Sequence, residues 1–351
     1  MIRYLLLPAL LLILSACAPP PDLTPLDAGG GAIVAKKISG ELPLDPDDKA
    51  WREAVPNEVS VYPQRSVRPA SLQTDVLSVR VQALHNGKGL ALRLEWKDET
   101  AAEKRGIGQF VDAAAVQWPV QYGVDVDLPY VGMGDSSRPV ALWFRRANGS
   151  TETLAAEGFG TLTVQSPDGV TAESVWKDGS WRVVFKRGFA ANGEHSVALA
   201  PDVQGLVPLA VAIWNGEEGQ RNGLKRLSAW RVLFLEKGKA DPAYVQQLAD
   251  VPAVQGNPET GKRLMTEKGC IACHAFPDNP AQPTLGPGLH YAGGIHSSDY
   301  LLESIDEPSK VILPGKGFFT VQDGQRSSLM PPFQGSEQER YDLLAYLKML
   351  R

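Results

Sequence analysis

The chain has few of the residues from which disulfide and zinc sites are built. Its 351 residues include 3 cysteines, 5 histidines and 5 methionines. Cys17 lies near the N-terminus, whereas Cys270 and Cys273 lie far downstream, with two residues between them. Three cysteines arranged in this way cannot build a disulfide framework or a four-cysteine zinc site.

The sequence also lacks basic tracts and long apolar runs. Its formal net charge is −5, so a nucleic-acid partner is not expected. The longest apolar run, Leu5 to Leu14, is too short to cross a bilayer and follows the basic Arg3. Residues 1–16 therefore have the pattern of a signal peptide. With 43% hydrophobic residues, the rest of the chain has a globular composition, and its length predicts two domains.

The end of that segment, Leu14-Ser15-Ala16-Cys17, resembles a bacterial lipobox. The resemblance implies cleavage before Cys17 and lipidation of its thiol; the alternative is an ordinary signal peptide that leaves Cys17 free. The Pro- and Gly-rich residues 17–40 are expected to be a flexible tether. We expect a periplasmic, lipid-anchored protein at the outer membrane or the outer face of the inner membrane. Ala18 after the cysteine favours the outer membrane, by resemblance to Gram-negative sorting.

The densest group of metal-binding side chains is Cys270-Ile271-Ala272-Cys273-His274, with the spacing C-x-x-C-H. This spacing is the attachment signature of a c-type haem. Two thiols one helical turn apart can add to the two vinyl groups of one porphyrin edge, and the next imidazole then lies under the iron. The alternatives are a redox C-x-x-C pair, which would need a βαβ context, and half of a zinc site. We predict one covalent haem c with His274 as an iron ligand.

The residues around this motif follow a recognisable order. Asn257-Pro258-Glu259 is typical of a helix start. Next come two short stretches, LGPGL at 285–289 and SLMPPF at 328–333. An apolar stripe between Glu337 and Leu350 then predicts a helix. Residues 257–351 therefore resemble the class I cytochrome c family, a small all-α domain.

The cytochrome resemblance implies further roles around the iron. Met330 would be the second axial ligand, and Pro287 would orient His274. A thioether opposite an imidazole stabilises ferrous iron. His290 and His296 are the alternative ligands, and we expect both on the surface.

Residues 41–237 have the alternating pattern of β-strands. Two such runs, 76–84 and 90–96, flank Asn86-Gly87, a strong signal for a hairpin. Short strands with Gly-rich turns predict an antiparallel, immunoglobulin-like sandwich. Residues 238–256 would be the linker to the cytochrome domain.

Several stretches of this β region share their order with one family. They include DAAAVQWP at 112–119, PVALW at 139–143 and NGLKRLSAW at 222–230. Together they resemble the haem b-binding γ subunits of the ethylbenzene dehydrogenase type, which accompany molybdenum enzymes of the DMSO reductase family. The resemblance implies one noncovalent haem b, held in a β-sandwich between a methionine and a lysine.

Met133 is the candidate methionine, since no other lies between the signal peptide and the cytochrome domain. For the lysine we prefer Lys225, with Lys186 as the alternative. The amine must be neutral to bind iron, and its reference pKa is about 10.4, so it needs a dry pocket. Two histidines are competing ligands: His85, beside a hairpin turn where histidine is usually exposed, and His195.

These features predict a dihaem electron-transfer subunit and not an enzyme. Its partners would be iron–sulfur and molybdopterin subunits, together with a soluble or membrane-bound electron carrier. A haem enzyme would need an open iron position or an acid–base pair beside it. The other alternative is a partner- or carbohydrate-binding sandwich with an appended monohaem cytochrome c.

Overall fold

The computed structural model describes residues 20–65, 75–104, 106–166, 168–250, 255–313 and 318–351. The predicted signal peptide and Cys17 lie outside these residues. Among the described residues, no helix is both long and apolar enough to cross a membrane.

The first part of the described chain is built from β-strands, as predicted. The strands are β1 (Ala32–Lys37), β2 (Asn57–Pro63), β3 (Leu77–His85), β4 (Gly89–Lys97), β5 (Ala113–Pro119), β6 (Val140–Arg146), β7 (Thr151–Ala156), β8 (Thr163–Val164), β9 (Thr171–Lys177), β10 (Ser180–Gly188), β11 (Leu206–Trp214), β12 (Arg226–Leu227) and β13 (Arg231–Leu235).

Hydrogen bonds connect these strands in the order β8-β7-β6-β5-β11-β12-β2-β3-β4-β10-β9. Along this path the neighbouring strands are antiparallel. Strand β1 differs, because it lies parallel to both β13 and β3. It falls within residues 17–40, for which we predicted a flexible tether, but Ile33 and Ala35 of this strand are buried.

The predicted hairpin at Asn86-Gly87 joins β3 to β4, with Ala83 opposite Leu92. The side-chain oxygen of Asn86 accepts hydrogen bonds from the backbone N–H groups of Lys88 and Gly89. Gly87 has φ +81, a conformation that glycine adopts without a steric cost.

Strands β5 and β11 separate two apolar clusters. Because side chains alternate across a strand, one face of each strand points to the main sandwich core, which contains Trp118 and Trp143 with their rings in tilted contact. The opposite face contributes small residues to a second cluster, which also holds Met133 and Trp214. We call this second group the outer cluster. The small residues on its β5 and β11 face are Ala113, Ala115, Ala210 and Ala212.

The C-terminal part is mainly helical. Its elements are α1 (Pro242–Leu248), α2 (Pro258–Glu267), a 3-10 turn (Cys270–Ala272), α3 (Ala292–Ile295), α4 (Ser298–Asp306), the hairpin of β14 (Phe319–Gln322) and β15 (Gln325–Ser328), and α5 (Glu337–Met349). The hairpin was not predicted.

The ends of these helices follow from the local sequence. The side chain of Asn257 caps α2 at Thr260, and Ser336 and Glu339 form a capping box at the start of α5. Helix α2 packs closely on α5 at Gly261. A Cβ atom at this position would clash with the backbone oxygen of Asp342, so only glycine permits the approach. The core of this part lies between α2, α4 and α5.

Candidate haem sites

A cavity of about 490 Å³ brings together the residues that the cytochrome resemblance singles out. It is lined by Cys270, Cys273, His274, Pro287 and Met330. Its size lies within the usual range of roughly 300–1,000 Å³ for sites of small molecules and cofactors. The cavity therefore has room for a flat cofactor, and both proposed axial ligands line it.

His274 is held in one orientation. Its Nδ1 lies 2.8 Å from the carbonyl oxygen of Pro287, so this nitrogen donates the hydrogen bond and Nε2 is free of its proton. Burial lowers the pKa of His274, which also favours the neutral ring. The side chain of Asn279 donates to the backbone oxygen of His274, at 2.7 Å. A neutral imidazole with a fixed tautomer can act as an iron ligand.

The two alternative histidines differ in their positions. Both are half-buried, so the expected surface location is wrong for each of them. His296 lines the same cavity as His274, and burial lowers its pKa to about 3. Its ring packs against Tyr130, at 5.7 Å, and against Tyr300, at 4.7 Å. His290 packs near Tyr291.

Met133 lies in a turn between β5 and β6 with an uncommon backbone conformation. Its φ is +127, which costs a non-glycine residue about 1–3 kcal/mol, and such strain is concentrated at functional sites. Gly134 follows with φ +74 and packs against the backbone oxygens of Ala156 and Arg138. The backbone oxygen of Met133 accepts a hydrogen bond from Gly158. The turn therefore fixes the direction of the methionine side chain.

Lys225 meets Met133 in the outer cluster. The Nζ of Lys225 lies 3.2 Å from the Sδ of Met133, and the lysine is 1% exposed. The indole of Trp214, at 5.2 Å from Nζ, is its other close contact. Among the described residues, no carboxylate pairs with this amine. Burial alone lowers the pKa of Lys225 to about 8.

The surroundings of this pair suit a flat apolar ligand. A neutral amine and a thioether are both donors to iron, whereas a buried lysine without a carboxylate is otherwise costly. The alanine face of β5 and β11 contributes small side chains to the same cluster. A haem b held here would be contacted by Met133 and Lys225 and by the small side chains of that face.

The other candidate ligands lie elsewhere. Lys186, on β10, bonds to the backbone oxygen of Leu42 at 3.2 Å. His195 lies 3.4 Å from the carboxylate of Glu157. His85 is 1% exposed, so the expectation that it is exposed is wrong. Its Nε2 lies 3.0 Å from the backbone oxygen of Glu236, which covers the hairpin end from a distant part of the chain.

Comparisons with known proteins match two separate parts of the chain. A family model for ethylbenzene dehydrogenase matches residues 48–170, and one for cytochrome c matches residues 258–351. A protein of Haloferax mediterranei named as a respiratory nitrate reductase heme subunit is 33% identical over 230 residues, which cover 62% of this chain and 82% of that protein. The chain belongs to the ethylbenzene dehydrogenase-type haem subunits.

Two gamma subunits are also similar to this haem subunit. The chlorate reductase subunit gamma of Ideonella dechloratans is 32% identical over 56% of this chain and 82% of its own length. The dimethylsulfide dehydrogenase subunit gamma of Rhodovulum sulfidophilum is 29% identical over 53% of this chain and 72% of its own length. The cytochrome c match implies a covalent haem c, and the gamma-subunit family supports a haem b in the sandwich.

Among solved structures, a carbohydrate binding module of family 9 from Caldicellulosiruptor kristjanssonii in complex with glucose covers 60% of this chain and 97% of its own. Its TM-score is 0.37 at 11% identity, too low to support an argument about this chain.

Sequence reasoning missed the residues that surround the proposed ligands. Trp214 lies beside the Lys225 amine. Its Nε1 donates to the backbone oxygen of Asn222, in the turn that precedes Lys225. In β11 alanines alternate with larger residues, and this pattern was a usable signal for a strand face made of small side chains.

Proposed function

We propose that this haem subunit relays electrons through two haems, a noncovalent haem b held by Met133 and Lys225 and a covalent haem c held by His274 and Met330. The observation that carries the proposal is the buried contact between Lys225 and Met133. Each pair of ligands would fill both axial positions of its iron, so neither iron would be open to a substrate. This supports electron transfer over catalysis within the chain.

The relatives described above suggest the partners of this subunit. They are subunits of nitrate reductase, chlorate reductase and dimethylsulfide dehydrogenase. We infer that this chain likewise joins a molybdopterin-containing catalytic subunit through an iron–sulfur subunit. Electrons would pass between that partner, haem b, haem c and an external soluble or membrane-bound carrier.

The proposed location rests on the N-terminal sequence. Cleavage before Cys17 and lipidation of that residue would anchor the subunit on the periplasmic face of a membrane, and Ala18 favours the outer membrane. The domain boundaries proposed for this subunit are 1–16, 17–40, 41–237, 238–256 and 257–351, except that β1 (Ala32–Lys37) pairs with β3 and β13 and so belongs to the sandwich.

Counting the haems tests this function. The full chain, produced with haem c attached, should show one c-type and one b-type haem in a pyridine haemochrome spectrum. Acid acetone should extract the b-type haem alone. A chain that folds with haem c but never holds haem b would contradict the proposal and favour a binding module with an appended cytochrome.

A further inference from the structure

Helix α3 of the cytochrome domain lies between the two candidate haem sites. Ile295 is 6% exposed and belongs to the outer cluster together with Met133. Tyr291 packs against the same cluster, and its ring lies 5.7 Å from that of Tyr62 in the sandwich. Both Tyr291 and Ile295 also line the cavity that contains His274 and Met330. One short segment therefore contributes to both sites.

The turn that carries Met133 also rests on the cytochrome domain. On one side of Met133, the ring of Tyr130 stacks on His296 at 5.7 Å and lies 5.1 Å from Tyr300. On the other side, Arg138 forms an ion pair with Glu303 of α4 at 3.6 Å. The position of the turn thus depends on contacts from α3 and α4.

A glycine permits this close approach. A side chain at Gly294 would lie 2.5 Å from the ring of Tyr62 in β2, well inside van der Waals contact. Near this point the backbone N–H of Gly288 donates to the backbone oxygen of Arg65, at 3.1 Å. The two domains are therefore in direct contact beside α3.

From these contacts we propose that α3 is a wall shared by both haem sites, with Tyr291 and Ile295 closing the Met133–Lys225 site. The inference rests on the proposed function, because it takes that site as the haem b site. Retention of haem b then depends on the cytochrome domain as well as on the sandwich. Tyr291 and Ile295 act as positioning residues and ligate neither iron.

Release of haem b from the full chain tests this inference. The dihaem protein is mixed with excess apomyoglobin, and the transfer of noncovalent haem is followed by absorbance. Ile295→Ala should release haem about tenfold faster or more, because it opens a gap in the wall of the site. Ile295→Leu keeps the volume and should release haem at nearly the wild-type rate.

A second variant guards against simple damage to the cytochrome domain. Gly294→Ala keeps every side chain of the outer cluster but adds a methyl group against the ring of Tyr62, so it should shift α3 and also accelerate release. Haem c should stay covalently attached in both alanine variants, because Cys270 and Cys273 are unchanged. Its potential is no control for Ile295→Ala, since Ile295 lines the haem c cavity. Unchanged release from both variants, each loaded with two haems, would overturn the inference alone. A wild-type chain without noncovalent haem would overturn the proposed function as well.

Discussion

Lysine is almost never fully buried without a carboxylate partner, because its charge is costly to remove from water. Lys225 is an exception, because it is buried with a thioether sulfur and an indole ring as its neighbours. Desolvation lowers its pKa to about 8, so about a tenth of the amine is neutral at pH 7. The lone pair of a neutral amine is what an iron ligand requires, and a bound iron would shift the equilibrium further towards it.

Substitution of Lys225 tests its role directly. Lys225→Ala should open one axial position of haem b, shift the iron towards high spin and allow carbon monoxide to bind the ferrous form quickly. Lys186→Ala is the matched control, since Lys186 lies on β10 and bonds to the backbone oxygen of Leu42 between β1 and β2, and the spectrum should not change. The reverse pattern would assign the ligand to Lys186. A loss seen only in His85→Ala would replace the Met–Lys model altogether.

The second axial ligand of haem c is tested in the same manner. Met330→Ala should abolish the long-wavelength absorption band of methionine-ligated ferric haem and lower the potential, because the thioether stabilises ferrous iron. Met265 also lines the cavity but lies in α2, so Met265→Leu should preserve the band. A ferric spectrum unaltered by Met330→Ala would assign the ligand to His290 or His296.

At the scale of elements, two buried acids connect the ends of strands. Asp98 follows β4, and Asp112 precedes β5 and accepts hydrogen bonds from Trp181 and Gly216. Burial raises the pKa of Asp98 to about 6, and the charge of Asp112 adds to the effect. Between about pH 4 and pH 6, Asp98 is protonated in the folded state but already ionised in the unfolded chain. The free energy of unfolding therefore falls as the pH rises through this window.

Asp98→Asn should remove this dependence. Asparagine can still accept the hydrogen bond from the backbone N–H of Thr100, and it carries no charge. Relative to wild type, the free energy of unfolding of the variant should rise by about 1–3 kcal/mol between pH 4 and pH 7. Urea unfolding at the two pH values measures the difference. An equal difference at both pH values would show that Asp98 titrates normally.

Local patterns predicted the elements well where the decisive contacts are local. The Asn86-Gly87 hairpin and the capped start of α2 depend on neighbouring residues, and both are confirmed. Strand β1 was missed because its partners, β3 and β13, lie far away in the chain. The hairpin of β14 and β15 was missed because most of its residues are exposed and give no apolar alternation.

The candidate sites show the same limit. The C-x-x-C-H motif and the single methionine of the sandwich could be found in the sequence. The burial of His85 could not, since Glu236 and Phe189 cover it from distant segments. The choice between Lys225 and Lys186 likewise depends on which strand end faces the Met133 turn, and that is a property of the tertiary fold.

At the scale of the whole molecule, the anchor can be tested by fractionation. Cys17→Ser removes the thiol that would carry the lipid, so the protein should leave the membrane fraction or fail to mature. A single acyl chain is a marginal membrane anchor unless a second signal adds to it. Release of the protein from the membrane should therefore depend on the number of acyl groups on Cys17. Ala18→Asp, which keeps Cys17, is the control and should remain membrane-bound. Unchanged fractionation of Cys17→Ser would count against lipidation.

The contact between Gly294 and Tyr62 has an evolutionary consequence. A larger residue at position 294 would harm a domain that is remote in sequence, because the ring of Tyr62 occupies the space. The fused subunit can accept such a change only when position 62 becomes smaller. Among chains that carry both domains, these two positions should therefore co-vary, whereas gamma subunits without a cytochrome should vary freely at the position that corresponds to 62.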